Sequence, residues 1–160
     1  MKAVILAAGR STRSYPLTLT RPKPVVPVLN RPLLDYNLNR LVPFVDGFVL
    51  VVGYFADMVK ATFGKRYGGI TVEYAYQTEQ KGTADAVLAA RGYIKDDFLL
   101  LNADDIYSVD DFEAVARYLD NAVLGVEVDE PTRFGILITE GPNLRAILEK
   151  PEFTTPSLVN

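Results

Sequence analysis

Short apolar runs punctuate the chain, each closed by turn-forming or charged residues, and the segments between them carry apolar residues at helical spacing. "AVILAA" (3–8), "GFVLVVG" (47–53), "ITVEYAY" (70–76), "FLLLN" (98–102) and "AVLGVEV" (122–128) are short and rich in branched residues, so each predicts a strand. Three of them are apolar on both faces, the pattern of a parallel sheet covered by helices on either side. Helices are expected over "RPLLDYNLNRLV", with Pro32 near its start, over "FADMVKATFG", where Gly64 should stop it, over "TADAVLAARG" and over "VDDFEAVARYLDN". This alternation implies an α/β fold with a doubly wound, mostly parallel Rossmann-like sheet and helices on both faces. In such folds the ligand site lies outside the carboxyl ends of the strands. After residue 130 the pattern changes. "RFGILIT" and "LRAILEK", separated by "EGPN", predict a C-terminal antiparallel strand pair, and "PSLVN" reads as a strand cut short.

A chain of 160 residues has the size of one domain, so residues 1–160 are expected to share one core, with truncation at the C-terminal end. Cysteine is absent, which excludes disulfides and thiolate metal sites. The leading "MKAVILAAG" runs straight into Arg10 and Arg13 rather than a processing site, and so reads as a buried first strand. No segment approaches the roughly 18 apolar residues of a membrane span. The expectation is a cytoplasmic protein with no membrane partner.

Charge changes the picture more. The net charge of −3 argues against a nucleic-acid partner, but residues 1–40 hold seven Lys/Arg and only Asp35 as an acid, a local +6 that leaves −9 for the remainder. Such segregation suggests a local anion site, although a solvated basic surface would account for the charge equally well. The stretch "ILAAGRSTRSYPLTLTRPKPVVPV" (5–28) concentrates four of these cations among four prolines, directly after the first strand. It is neither a Walker A loop nor a GxGxxG fingerprint. Gly9 would let backbone approach a ligand, Arg13 offers planar paired donors, and Pro22, Pro24 and Pro27 restrict the backbone that carries Lys23. Read without a ligand, the prolines merely stiffen a surface loop and Arg13 points to water.

From Leu6 to Leu33 the chain reads "LAAGRSTRSYPLTLTRPKPVVPVLNRPL", followed in order by "QTEQKGTADAV" (77–87), "LLLNADD" (99–105), "PTRFG" (131–135) and "ILEKP" (147–151). The first stretch resembles the signature of the sugar-1-phosphate nucleotidyltransferases (NDP-sugar pyrophosphorylases), roughly LAAGxGTRLxPLTxxxPKPxxPVxxxPL, and the later stretches match that family in its own order. The resemblance implies the nucleotide-diphospho-sugar transferase type of fold and a reaction of a nucleoside triphosphate with a sugar 1-phosphate, giving NDP-sugar and pyrophosphate. It places Leu6, Ala7, Ala8 and Gly9 at the nucleotide, Arg13 on the triphosphate and Lys23 on phosphates near the transferring centre. Gln77 and Gly82 would read the base edge with Thr83 beside them. Asp104 would hold Mg²⁺, with Asp105 a bystander. Glu149 would accept from sugar hydroxyls and Lys150 would meet the sugar phosphate, with Gly135 and Asn160 at further sugar-site positions.

Taken alone, several of these residues have plainer readings. Gln77 would be an exposed strand-end polar residue, "GTADAVLAA" a helix start, the paired aspartates a turn cap, and "EKP" a surface charge pair. The chain also departs from the pattern. Ser11 and Ala103 replace family glycines, Ser14 stands where a larger apolar residue is common, and the family's second metal-binding Asp or Asn has no counterpart up to Asn160. A phosphocholine-type acceptor and a non-catalytic nucleotide-sensing domain remain alternatives, and homo-oligomerisation stays open.

Overall fold

The computed structural model describes residues 1–118, 120–149 and 155–160, and its backbone forms two compact units, Met1–Ala116 and Arg117–Asn160. The first unit runs β1 (Lys2–Leu6), the two-residue strands β2 (Pro27–Val28) and β3 (Arg31–Pro32), helix α1 (Leu33–Leu41), β4 (Gly47–Val52), α2 (Ala56–Phe63), β5 (Arg66–Tyr67), β6 (Ile70–Tyr76), α3 (Thr83–Ala89), β7 (Phe98–Asn102) and α4 (Val109–Ala116). Its five-stranded sheet has the order β5-β6-β4-β1-β7. Strands β1, β4, β6 and β7 are parallel, and only the short β5 runs antiparallel, against β6. In chain order the parallel strands lie third, second, first, fourth. Winding therefore reverses between β1 and β7, which is where an open α/β sheet forms its ligand crevice.

The doubly apolar strands explain the two helical layers. Successive side chains of a strand point to opposite faces. Ala3 and Ile5 of β1 and Phe48, Leu50 and Val52 of β4 pack with Leu34, Leu38 and Leu41 of α1, Val59 and Phe63 of α2 and Phe112 of α4. The alternate residues Val4, Val49 and Val51 pack on the other face with Ala86 of α3 and Ala90. Helix α2 stops at Gly64, as expected from sequence, with the Gly64 amide donating to the Lys60 carbonyl at 2.8 Å. A reciprocal pair opens α4: the Ser108 amide donates to Asp111 Oδ2 at 2.8 Å and the Asp111 amide to Ser108 Oγ at 3.1 Å. That helix ends at Ala116, short of the expected 109–121. Likewise β1 ends at Leu6, before Ala7 and Ala8, which stay buried but leave the ladder. Among the described residues no helix is long and apolar enough to cross a membrane.

The second unit is one four-stranded antiparallel sheet of order β10-β9-β11-β8, formed by β8 (Val126–Val128), β9 (Gly135–Glu140), β10 (Asn143–Glu149) and β11 (Ser157–Val159). The expected pair is β9 and β10, joined through Gly141 and Pro142 of "EGPN". The strand expected over 122–128 shrinks to β8, and at Gly125, just before it, an added Cβ would come within 2.8 Å of Leu137 Cδ1 and 2.9 Å of Leu158 Cγ, a close approach that only glycine allows. "PSLVN" supplies β11, which lies between β9 and β8.

Candidate active site

In the first unit, three loops at the carboxyl edge of the sheet carry the nucleotide and metal candidates. The first follows β1 and is tied to both neighbouring strands. The Leu6 carbonyl accepts from the Ala103 amide at 3.1 Å, and the Ala7 amide donates to the Val51 carbonyl at 2.9 Å. The Ala8 carbonyl accepts from the Tyr54 amide at 3.3 Å and from Gln80 Nε2 at 2.9 Å. Ala7 and Ala8 are buried beneath an exposed Gly9, where an added Cβ would meet nothing within 4 Å.

Ser11 explains one departure from the family pattern. Its backbone is left-handed, at φ 50° and ψ 47°, where glycine is the residue without a steric penalty. Its carbonyl accepts from the Ser14 amide at 3.0 Å and from Thr18 Oγ1 at 2.9 Å, folding the loop back on itself around a fully buried Thr18. The 3-10 turn so formed, Thr12–Ser14, carries Arg13, which is exposed and makes no ion pair with a described residue. A left-handed L-residue costs about 1–2 kcal/mol, part of which the extra unfolded-state freedom of glycine offsets. Ser11→Gly is thus expected to raise unfolding stability by about 1 kcal/mol, measured in urea. Ala103, the other departure, is buried and lies outside the positive-φ residues, so its methyl group meets no such penalty.

Lys23 opens a second 3-10 turn, Lys23–Val25, flanked by the buried Pro22 and Pro24. The Val25 amide donates to the Pro22 carbonyl at 3.1 Å and the Val26 amide to the Lys23 carbonyl at 3.0 Å, so the lysine stem leaves a closed turn. Its Nζ reaches Asp104 Oδ2 at 2.7 Å across 81 positions of sequence, joining the loop after β1 to the loop after β7. Both side chains are about one-third exposed, at 31% and 39%. The pair is therefore accessible from solvent and contributes little to stability. Asp105 has an exposed side chain whose Oδ2 accepts from Asn102 Nδ2 at 3.1 Å, while its carbonyl accepts from Asn37 Nδ2 at 2.7 Å. Burial, and then the Asp105 carboxylate, push the nearby Tyr107 phenol up to about 12.

No cluster of three or more acidic or other metal-binding side chains occurs among the described residues. Mg²⁺, however, needs only one or two carboxylates when substrate phosphates and water complete its shell. Asp104 fits that demand, since Oδ1 takes no hydrogen bond from a described residue and Lys23 occupies Oδ2 alone.

Gln77 follows β6 and is 8% exposed, unlike the exposed strand-end residue its type suggests. Its Nε2 donates to the Gly82 carbonyl at 3.1 Å and to Asp85 Oδ2 at 2.9 Å. Both amide hydrogens are thereby used, and Oε1 is left as an acceptor. Gly82 sits at φ 104° just before α3, a conformation that side-chain-bearing residues rarely adopt, and Thr83 opens the helix exposed. Gln80, Asp85, Thr18 and Asn37 are residues the motif reading passed over. Asp85 and Gln80 lie inside the matched "QTEQKGTADAV" but look like helix-start and loop polars, and Thr18 lies inside "PLT".

The second unit groups the sugar-side candidates it describes. Gly135 pairs with Glu149 across β9 and β10, and the Asn160 amide donates to the Gly135 carbonyl at 3.0 Å. A Cβ on Gly135 would come within 2.9 Å of Ile147 Cγ2 and 3.2 Å of Glu149 Oε1, so the glycine keeps space beside the carboxylate. Lys150, with the rest of 150–154, lies outside the described residues.

Comparison with known proteins gives a consistent picture. The family profile described as nucleotidyl transferase matches residues 2–160. The bifunctional protein GlmU of Methanococcus maripaludis is 37% identical over an alignment that takes in 100% of this chain and 38% of that protein. UTP–glucose-1-phosphate uridylyltransferase AglF of Haloferax volcanii is 36% identical, covering 99% of this chain and 69% of the relative. The chain thus spans about two-fifths of the length of the bifunctional relatives it matches. Among solved structures, HddC from Yersinia pseudotuberculosis, complexed with GMP-PN, superposes with a TM-score of 0.79 at 28% identity, covering 99% of this chain and 73% of that one. A Bacillus anthracis chain assigned as a glucose-1-phosphate thymidylyltransferase, in complex with sucrose, gives a TM-score of 0.85 at 26% identity, covering 99% and 68%. With a profile match that runs through both units and relatives above one-third identity along nearly all of its length, this polypeptide belongs to the nucleotidyl transferase family.

Proposed function

We propose that the protein transfers a nucleotidyl group from a nucleoside triphosphate to a sugar 1-phosphate, releasing pyrophosphate, and that the two units together make up one nucleotidyltransferase domain. The observation that carries this reading is the Lys23–Asp104 pair at 2.7 Å, which joins a cation and a carboxylate at the sheet's switch point. The names of the relatives favour a sugar 1-phosphate over other phosphomonoesters as acceptor.

The chemistry suits a chain with no histidine. A sugar phosphate has a second pKa of about 6 and is largely dianionic at neutral pH, so the attacking oxygen needs no protein base. What limits the reaction is the approach of one anion to another, together with the charge that builds on the departing pyrophosphate. Fixed cations and in-line positioning supply the rate in such transfers. Lys23 neutralises charge at the transferring phosphate and Arg13 holds the triphosphate. Leu6 to Gly9 form the floor under the nucleoside, and Gln77 Oε1 accepts from the base edge beside Gly82 and Thr83. Asp104 holds Mg²⁺, which when bound screens phosphate charge. On the acceptor side, Glu149 accepts from sugar hydroxyls, Lys150 meets the phosphate, and Gly135 and Asn160 line the sugar.

The test is pyrophosphate release by the full-length protein with Mg²⁺, each common nucleoside triphosphate and a panel of sugar 1-phosphates. Release with at least one pair is expected. No release with any pair would defeat the reading.

A further inference from the structure

We propose that Asn37 is a positioning residue that fixes the Asp104 carboxylate through the backbone of residues 105–107. Helix α1 buries Leu33, Leu34, Leu38 and Leu41 on one stripe, and Asn37 sits in the middle of that stripe, fully buried, where the helical pattern calls for an apolar side chain. A buried amide is tolerated only when its hydrogen bonds are made. Asn37 makes them to one loop: Nδ2 donates to the Asp105 carbonyl at 2.7 Å and Oδ1 accepts from the Tyr107 amide at 3.2 Å. From the next turn of the helix, Arg40 Nη1 donates to the Tyr107 carbonyl at 2.5 Å.

Asp104 is consequently the single residue between two anchors. On its amino side the Ala103 amide donates to the Leu6 carbonyl, and on its carboxyl side the Asp105 carbonyl is held by Asn37. The two anchors restrict the Asp104 backbone and so the point from which its carboxylate reaches Lys23, at 2.7 Å. Partners behind a metal-binding carboxylate orient it, and losing one typically weakens metal affinity about 10–100-fold. This inference rests on the metal role proposed for Asp104.

The test titrates Mn²⁺, read by electron paramagnetic resonance, into the full-length protein with each common nucleoside triphosphate present. It compares the parent with Asn37→Leu, Asp104→Ala and Leu41→Val, the last thinning the packing of the same helix without touching the loop. Asn37→Leu is expected to weaken Mn²⁺ binding about tenfold or more. Asp104→Ala should weaken it at least as much, and Leu41→Val should stay within about twofold of the parent, since it leaves the tether intact. Hydrogen exchange at the Tyr107 amide should accelerate in Asn37→Leu, and Asn37→Ala provides the same comparison if leucine prevents folding. Unchanged Mn²⁺ affinity in the Asn37 variant, or equal weakening in Leu41→Val, would overturn the tether. Unchanged affinity in Asp104→Ala would overturn the metal role and the tether with it. Because the readout is metal binding, failure to observe turnover with any substrate pair does not decide this result.

Discussion

Lys23→Ala is expected to release pyrophosphate about 10²–10³-fold more slowly than the parent protein while unfolding at nearly the same urea concentration. The two halves of that expectation come from different features. A fixed donor aimed at developing phosphate charge acts most strongly in the transition state, so its loss falls on kcat. The ion pair with Asp104 is about one-third exposed on both sides, and pairs of that kind contribute about 0–1 kcal/mol to folding. The turn that carries Lys23 is closed by backbone hydrogen bonds and flanking buried prolines, and truncating the side chain leaves these in place. Steady-state kinetics beside urea unfolding separate the two effects. A loss of stability equal to the loss of activity would mean that the lysine holds the loop rather than the phosphate.

Asp104→Ala and Asp105→Ala should differ by at least tenfold in turnover although the residues are adjacent. Asp104 meets Lys23 of the opening loop through Oδ2, whereas the exposed Asp105 carboxylate meets Asn102, three residues before it, and its structurally important group is the backbone carbonyl that survives truncation. Turnover at varied Mg²⁺ should show the Asp104 variant needing far more metal, with Asp105→Ala close to the parent. Equal losses in the two variants would refute the division of roles.

β1 and β4 were legible because burial on both faces leaves short apolar runs whose length, branched residues and flanking turn signals favour a strand. β4 and β6 lie where the runs at 47–53 and 70–76 put them. Boundaries were less legible, since Ala7 and Ala8 are as apolar and as buried as the strand they follow and still bond to the β4 side, yet lie beyond its last paired residue, Leu6. The second unit shows a different limit. Periodicity marks β9, β10 and the segment that becomes β11, but a strand's pattern does not name its neighbour, and pairing of β11 with β8 and β9 joins distant parts of the chain. At the site, the family resemblance singled out Lys23 and Asp104 without indicating that they touch. Asn37 escaped because an asparagine inside an apolar stripe looks like noise until its loop partners are known. Ser11 is the converse case: a departure from the pattern whose cost becomes visible only in the backbone angle.

The most direct measurement of the central claim follows the α-phosphorus. The full-length protein would be incubated with Mg²⁺, α-labelled nucleoside triphosphate and sugar 1-phosphate, and the products resolved. Label is expected in a nucleoside-diphosphate sugar, matched one for one by unlabelled pyrophosphate. Label remaining in the triphosphate, or appearing only in free nucleoside mono- or diphosphate, would contradict transfer to the sugar phosphate.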